Sequence, residues 1–409
     1  MKKFYTLLAA IGAVASLQAQ QLPNAGFEDD WTSLSPYTGG TTTSVGTTPT
    51  PWTIANVAGV NLFGSSWLGT TTVGEKTDGY ESTSAVLLKN SPNSMVKTQT
   101  VPGYITLGTT WNTANLSGAE KDGGSFGGIA LAYRPDAMLF DYKRTLAENS
   151  NEQASVVAYL WTGSTSQANV PVNIGQTPTT ITMVDRDRNI LDMETSKGGE
   201  ITKSEDFTLV SKIDYAIQGA QDTWTSLEIP FEYFSDKTPE KINVIFGAGN
   251  YFSTEPEQGN ELTIDNVKLL YYSRLASLSV NGTPVENFAT DKYDYELALD
   301  MPQSADGIEA ETLGQSKAAT TDITLDPAKK LAVITVANTQ GEDADGETQH
   351  VYTLHFNGAS AISDLSSDAA RTSARYYNLQ GLSVNADALV PGQTYIKVYG
   401  GTATKFVAL

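Results

Sequence analysis

The chain has 409 residues, of which none is cysteine and only two are histidine, His350 and His355. The lack of cysteine excludes disulfides, thiolate metal sites, cysteine nucleophiles and a lipid-modified cysteine, so the chain is not predicted to be a lipoprotein. Both histidines lie close to the C-terminal end. The rest of the chain therefore lacks a Ser-His-Asp triad and histidine-ligated metals, which leaves carboxylates, tyrosine, lysine and arginine for chemistry.

Positive charge is also scarce. The sequence has 26 lysines and arginines against 46 aspartates and glutamates, which gives a formal net charge of −20. A chain this acidic is a poor ligand for nucleic acid and for an anionic membrane surface.

Residues 7–17 form the one long apolar run, preceded by Lys2 and Lys3 and followed by the small Ala19. This is the pattern of a secretory signal peptide, residues 1–19, cleaved before Gln20; the alternative is a buried N-terminal helix. No other segment approaches the length needed to span a membrane. We therefore predict an exported protein, in the periplasm, on the outer surface or secreted, that does not span the membrane.

The composition predicts an all-β protein with more than one domain. The sequence has 35 glycines and only 18% charged residues, and 409 residues exceed one usual core. From Leu227 to Tyr233, apolar residues recur at every second position, which is the period of a strand with one buried face. Pro230, which cannot donate to a ladder, indicates an edge strand or a bulge. Residues 242–246 and 262–271 predict two further strands.

The strand at 262–271 contains a shift of phase. Its apolar residues occupy even positions up to Ile264 and odd positions from Val267 onward. A β-bulge at Asp265 and Asn266 absorbs the extra residue. Because a bulge re-aims side chains, Asp265 is suited to binding an ion or capping a loop; the alternative is a solvated Asp-Asn pair in an irregular strand.

Two further segments have readable patterns. Residues 129–143 and 154–160 are apolar runs around a polar turn, which predicts a strand, a hairpin and a strand. Residues 185–188 alternate acid and base, Asp-Arg-Asp-Arg. Such neighbours can pair with one another, so we interpret this segment as a structural loop.

Several short motifs occur in a fixed order: residues 23–28 (PNAGFE) followed by Trp31, residues 136–143 (DAMLFDYK), Trp224 before a strand, and residues 262–267 (LTIDNV). In this respect the chain resembles the putative carbohydrate metabolism domain family, found in exported proteins of Gram-negative anaerobes. The resemblance covers residues 20–272. It implies a jelly-roll β-sandwich with a connection to carbohydrate, and it transfers no catalytic residues.

The opening and closing motifs are also similar to those of carbohydrate-binding jelly rolls, in which a structural calcium ion often joins the two ends of the domain. The matching positions are Glu28 and Asp265. Hard oxygen ligands from distant segments suit Ca²⁺. The alternative is that Glu28 accepts hydrogen bonds from backbone amides at the start of a strand.

Aromatic residues on loops are what a sugar site needs, because their faces stack on the C–H faces of pyranose rings. Trp67 and Trp111 are flanked by small polar residues and are predicted to lie on loops, whereas Trp31 and Trp224 are predicted to lie in the core. Large aromatics are most often buried, so a core position is the alternative for each. The predicted carbohydrate-binding residues are Trp67, Tyr104, Trp111 and Tyr251.

The C-terminal third reads as separate modules. Residues 273–357 contain alternating strands with glycine and aspartate turns, and they resemble a cadherin-like or immunoglobulin-like spacer. Residues 358–409 begin with a Ser/Ala/Asp-rich linker and end in a short β-rich tail. This tail resembles a sorting signal, and a small structural cap is the alternative.

Three functions are consistent with these observations. The first is an exported glycan-binding or glycan-processing accessory protein, with no cofactor beyond possible calcium. The second is a glycoside hydrolase or lyase that uses a pair of carboxylates in the same domain. Retaining or inverting hydrolysis requires two carboxylates ~5–5.5 Å or ~6.5–9.5 Å apart, a separation that a sequence does not set. The candidates are Asp29 or Asp30, Asp136, Asp141, Asp185, Asp187, Glu255 and Glu257. The third is a surface adhesion or structural subunit with protein partners.

Overall fold

The computed structural model describes residues 21–34, 45–62, 65–94, 96–112, 122–174, 177–193, 199–358, 375–379, 382–399 and 402–408. For some of these, including residues 58–62 and 65–70, only the backbone is described. The predicted signal peptide and nearly all of the predicted linker lie outside the described residues.

The first part of the chain contains twenty-three described strands. In chain order they are Trp31–Ser33 (β1), Thr47–Pro49 (β2), Thr53–Ile54 (β3), Val57–Leu62 (β4), Ser65–Thr71 (β5), Gly74–Thr77 (β6), Ala85–Lys89 (β7), Ser91–Pro92 (β8), Thr100–Val101 (β9), Tyr104–Thr106 (β10), Thr109–Asn112 (β11), Gly123–Phe126 (β12), Ile129–Ala130 (β13), Ala137–Thr145 (β14), Ala154–Thr162 (β15), Thr165–Ile174 (β16), Thr177–Val184 (β17), Ile201–Lys203 (β18), Thr208–Ile217 (β19), Gln221–Pro230 (β20), Glu232–Tyr233 (β21), Lys241–Gly247 (β22) and Glu261–Leu270 (β23). A single helical turn, Asp187–Ile190 (α1), follows β17.

The described strands of the C-terminal part are Leu275–Val280 (β24), Thr283–Pro284 (β25), Asp294–Leu297 (β26), Ile308–Thr312 (β27), Thr320–Asp326 (β28), Leu331–Ala337 (β29), Gln349–Phe356 (β30), Arg375–Tyr377 (β31), Ser383–Val384 (β32), Thr394–Tyr399 (β33) and Thr402–Val407 (β34). Short 3-10 turns cover Ala305–Gly307 and Ala386–Ala388.

The predicted all-β class is confirmed, and the large domain is a β-sandwich. One sheet has the order β21-β19-β15-β22-β10-β3, with β13 beside β22, and the other has the order β20-β14-β23-β7-β6. Phe140 of β14 and Phe246 of β22 meet edge to face, with ring centroids 5.0 Å apart, so the two sheets pack through their apolar faces. A third sheet, β12-β11-β16-β17 with β18 beside β16, lies in the same part of the chain.

The three strands predicted between residues 227 and 271 are confirmed as β20, β22 and β23. The strand β20, which holds Pro230, lies at the edge of its sheet, as the missing amide donor predicts. The bulge is confirmed as well: Leu139 opposes Lys268 but Asp141 opposes Asp265, so β23 has one extra residue. Asn266 absorbs it with a φ of 51°.

The predicted hairpin between residues 129 and 160 is wrong. The strand β14 pairs with β20 and β23, whereas β15 pairs with β19 and β22 in the opposite sheet. The polar turn therefore crosses between the two layers. Every residue of β15 is buried because the strand is central in its sheet and covered on both faces. A continuous apolar run of this kind does not indicate which strands pair with it.

The predictions for four tryptophans also need correction. Trp67 lies in β5 and Trp111 lies in β11, so neither is on a loop. Trp31 and Trp224 are half-buried rather than core residues. Trp224 packs against Tyr80, with ring centroids 5.6 Å apart, and the Lys143 amine lies 4.7 Å from its ring centroid. Trp52 and Trp161 are the tryptophans of the main core.

The sheets after Tyr272 have the orders β25-β24-β27 and β26-β30-β29-β28, and a further sheet, β32-β31-β33-β34, forms the tail. The chain divides into two compact units, one with residues up to 277, 310–322 and 335–350, the other with residues 278–309, 323–334 and 351 onward. The domain limits at 272 and 357 stay predictions. Within the described ranges, no helix has both the length and the apolar character needed to cross a membrane.

Candidate functional site

A cleft of about 310 Å³ opens beside the third sheet. Strands β10, β11 and β12 contribute to its wall, together with α1 and the loop after β22. Its lining includes Tyr104, Trp111, Asp122, Arg188, Tyr251 and Thr254.

Three of the four predicted carbohydrate-binding residues, Tyr104, Trp111 and Tyr251, line this one cleft. They come from β10, β11 and the loop after β22. The fourth, Trp67, lies in β5, and its side chain is outside the described part of the structure. Tyr104 and Trp111 lie on successive strands, and the fold brings Tyr251 to them from a distant segment of the chain.

The two tyrosines of the cleft contact each other edge to face, with ring centroids 5.0 Å apart. The Tyr104 hydroxyl donates to the carbonyl oxygen of Gly124 at 2.8 Å. The Tyr251 hydroxyl donates to Oδ2 of Asp187 at 2.6 Å. Both rings are therefore held in one orientation, and burial raises the pKa of each hydroxyl, so both stay protonated.

Asp187 is fully buried beneath the cleft. Besides the Tyr251 hydroxyl, the backbone N–H groups of Arg188 (2.7 Å) and Ser125 (3.3 Å) donate to its carboxylate. Burial raises the pKa of Asp187, while these donors and the nearby Arg186 oppose that rise. The carboxylate thus ties α1 to β12 and to the loop after β22.

Gly124 is required at its position in β12. Its φ is 148°, and a Cβ placed there would lie 2.7 Å from Oδ2 of Asp187 and 3.0 Å from the Tyr251 hydroxyl oxygen. Both the backbone conformation and the lack of space therefore select glycine.

Trp111 lines the cleft but is only 1% exposed. It packs with Val170, Val172 and Met183 in a small core of the third sheet. The guanidinium of Arg186 lies 4.7 Å from its ring centroid and is paired with Asp122 at 2.9 Å. Little of the indole face is therefore open to a sugar, and Trp111 supports the cleft wall.

The interpretation of residues 185–188 as a self-pairing loop is wrong. Asp185 pairs with Lys241 at 2.7 Å, and Asp187 binds Tyr251, 64 residues away. Sequence reasoning named Asp187 only as one of several candidate carboxylates and missed Arg188, because pairing within the motif accounts for all its charges. The alternation of acid and base directly after a strand was the one signal that could have found them.

The predicted metal ligands, Glu28 and Asp265, both contact the loop formed by residues 80–84. Oε1 of Glu28 accepts from the backbone N–H groups of Thr83 (3.0 Å) and Ser84 (2.8 Å), and Oε2 accepts from the Thr83 hydroxyl. Asp265 is buried, and its Oδ2 accepts from the N–H of Tyr80 at 2.8 Å. The two carboxylates therefore join the ends of the domain through one loop.

This oxygen-rich arrangement is partly suited to calcium. An ionised carboxylate has about four acceptor positions. Hydrogen bonds occupy three of these acceptor positions on Glu28. They also occupy three on Asp265, where the donors are the N–H of Tyr80, the Ser82 hydroxyl and the N–H of Asn266. One position remains on each, which is compatible with a cation that takes its other oxygens from carbonyls or water. The Glu28 bonds also match the alternative of capping backbone amides.

Among the candidate carboxylates for hydrolysis, Asp187 lies beneath the cleft, and Asp136 and Asp141 do not line it. Asp136 accepts from the N–H groups of Tyr272 (2.8 Å) and Ser316 (3.2 Å), and Asp141 accepts from Ser226 and Asn266. Within the described residues, Asp122 is the only carboxylate that lines the cleft. The described part of the cleft therefore does not present a pair of carboxylates.

No protein-family model matches the sequence, and no curated protein matches it. Among solved structures, the chain is similar to putative glycoside hydrolases from Bacteroides vulgatus (12% identity, 48% of this chain and 76% of that chain, TM-score 0.33) and Bacteroides thetaiotaomicron (12%, 54% and 71%, 0.32). It is also similar to a carbohydrate-binding module specific for non-crystalline cellulose (9%, 48% and 79%, 0.19). At these TM-scores the likenesses carry no argument about function.

Proposed function

We propose that the domain of residues 20–272 binds glycans in the cleft lined by Tyr104, Trp111 and Tyr251, as part of an exported accessory protein. The observation that supports this is a cleft that two tyrosines from separate segments, Tyr104 and Tyr251, line together, with Trp111 supporting its wall. Its volume of about 310 Å³ lies at the small end of ligand sites, which span about 300–1,000 Å³. It suits a short stretch of sugar rings.

The lining has the mixture of groups that a sugar requires. The half-buried ring of Tyr251 offers apolar surface for C–H groups, whereas Thr110 and Ser253 offer hydroxyls for sugar hydroxyls. Because Asp187 fixes the Tyr251 ring before a ligand arrives, binding costs less ordering entropy.

A glycan array with a cleft-blocking variant tests this proposal. Thr254 is exposed and lines the cleft, so Thr254→Trp fills the opening without disturbing the core. Thr223, an exposed threonine of β20 away from the cleft, provides the matched control Thr223→Trp. We expect binding that is lost in the first variant and kept in the second. No binding to any glycan, or equal binding by both variants, would overturn the proposal.

A reducing-sugar release assay on the same glycans separates binding from hydrolysis. Release that disappears when Asp122 is changed to asparagine would favour the hydrolase or lyase alternative. Absence of both binding and release would favour the adhesion or structural alternative.

We also propose that Glu28 and Asp265 share a structural Ca²⁺ ion remote from the glycan cleft. The support is their common contact with residues 80–84 and the one acceptor position left on each carboxylate. Calcium would there stabilise the closure of the domain, with no part in recognising the glycan.

A further inference from the structure

Arg188 is the one cation among the described residues that line the cleft. Its guanidinium carbon lies 5.4 Å from the ring centroid of Phe252. Its Nε is buried without a hydrogen-bond partner in the described structure, and its side chain forms no ion pair with a described residue. A guanidinium has five donors, so this side chain has capacity for a ligand.

A buried Nε without a partner is shared by Arg144 and Arg186, but each of the other arginines with a described side chain has at least one terminal guanidinium nitrogen that is bonded. Arg134 and Arg144 each donate to backbone carbonyls, and Arg186 pairs with Asp122. Arg274 pairs with Asp343 and Asp345. The unpaired arginine of the described structure is thus the one at the cleft.

The shape of the guanidinium indicates which kind of ligand Arg188 can bind. Its planar fork binds carboxylates and other oxyanions through two parallel hydrogen bonds. Contact with the Phe252 face keeps the planar group at the cleft wall. Asp122, the acidic residue lining the cleft, already pairs with Arg186 at 2.9 Å and leaves Arg188 to a ligand.

The net charge of −20 opposes the approach of a polyanion. At physiological ionic strength, however, charges interact over a screening length of only about 8 Å. The groups at the cleft therefore decide local binding. Asp122 and Arg186 pair with each other there, and the buried Asp187 carboxylate beneath the cleft is held by the Tyr251 hydroxyl and two backbone N–H groups.

We propose that the cleft selects an acidic sugar, whose carboxylate or sulfate group binds the Arg188 guanidinium. This inference rests on the proposed glycan binding and adds the charge class of the ligand. A uronic acid and a sulfated sugar present the same oxyanion chemistry to the arginine, and the probes below separate them.

The test is titration calorimetry of the full chain with matched oligosaccharides: uronate-containing, the same chains methyl-esterified, sulfated and neutral. We expect binding of the uronate or the sulfated chain. The neutral and esterified chains should bind about 10- to 100-fold more weakly, as expected for loss of hydrogen bonds to a charged group. Arg188→Gln should cause the same loss, and Arg188→Lys, which keeps the charge without the fork, a smaller one. Lys268→Gln, outside the cleft, controls for net charge.

Equal binding of neutral and acidic chains, unchanged in Arg188→Gln, would overturn this inference and leave glycan binding in place. Absence of binding to every chain, or binding insensitive to Thr254→Trp, would overturn both proposals. An unchanged melting temperature for Arg188→Gln would show that any loss of binding does not come from unfolding.

Discussion

The hydroxyl of Tyr251 donates a 2.6 Å hydrogen bond to Asp187, a carboxylate with no exposed surface. The bond connects the loop after β22 with α1, two segments that meet only in the folded chain. The Asp187 carboxylate therefore holds Tyr251, a residue that lines the cleft, in one orientation.

Replacing Tyr251 by phenylalanine keeps the ring and removes this donor. A hydrogen bond to a charged group contributes about 1.5–3 kcal/mol, whereas a neutral one contributes about 0.5–1.5 kcal/mol. We therefore expect Tyr251→Phe to lower the free energy of unfolding more than Tyr104→Phe, which removes only the bond to the Gly124 carbonyl. Urea denaturation of both variants measures the difference. An equal or reversed order would contradict the assigned role of Asp187.

Alanine substitutions at two glycines, Gly124 and Gly127, compare a crowded position with an open one. Gly124 and Gly127 both have positive φ, but a Cβ at Gly127 would have no atom within 4 Å, whereas at Gly124 it would meet Asp187 and Tyr251. We expect Gly127→Ala to cost about 1–2 kcal/mol for its left-handed conformation. Gly124→Ala should cost more, because a φ of 148° is less accessible to alanine than the left-handed region and because overpacking adds roughly 1–3 kcal/mol. Thermal melts of the two variants would contradict this if their midpoints were the same.

Features that depend on local periodicity could be predicted from the sequence. The phase shift around Asp265 and Asn266 predicted the bulge because one extra residue in a strand must be absorbed somewhere. Pro230 predicted an edge strand because it lacks an amide hydrogen. Each of these inferences needs only the chain's own pattern.

Features that depend on the assembly of sheets could not be predicted in this way. Trp111 has small polar neighbours, as a loop residue would, and the residues that bury it, Val170, Val172 and Met183, lie in β16 and β17, more than 50 residues further along the chain. The same limit applies to Asp187, whose partner Tyr251 is distant in sequence. The aromatic candidates were chosen by residue type, and tertiary structure decides which of their faces remain open.

Asp136 predicts a dependence of stability on pH. It is only 2% exposed, and burial raises its pKa to about 6, against the effect of its hydrogen bonds to Tyr272 and Ser316. The folded state therefore binds this proton more tightly than the unfolded chain, where the pKa is 3.8. The contribution of Asp136 to stability is largest below pH 4 and declines as the pH rises to about 6, by roughly 3 kcal/mol at most.

The measurement is urea denaturation between pH 4 and pH 7 for the wild type and Asp136→Asn. We expect the difference in free energy of unfolding between them to change across this range, because the variant lacks the titrating group. Asp222→Asn, at an exposed position of β20, is the matched control and should follow the wild type. A constant difference between wild type and Asp136→Asn would show that Asp136 does not titrate in this range.

The shared contact of Glu28 and Asp265 with residues 80–84 leads to the last prediction, on calcium. A bound ion would stabilise the folded state by mass action, by about 2.7 kcal/mol when free calcium is 100 times its dissociation constant. We expect the full chain to melt at a higher temperature in calcium than in chelator. Asp265→Asn should abolish that difference, and Asp222→Asn should keep it.

Glu28→Gln distinguishes a metal ligand from a cap. If Glu28 only accepts hydrogen bonds from Thr83 and Ser84, calcium and chelator give the wild type the same midpoint, and the variant loses equal stability in both. If Glu28 holds calcium, the variant loses more stability in calcium than in chelator, because the ion adds to the hydrogen bonds that both conditions share. Melting curves of wild type, Glu28→Gln and Asp265→Asn under the two conditions therefore separate the roles, and an unchanged wild-type midpoint would remove calcium from this fold.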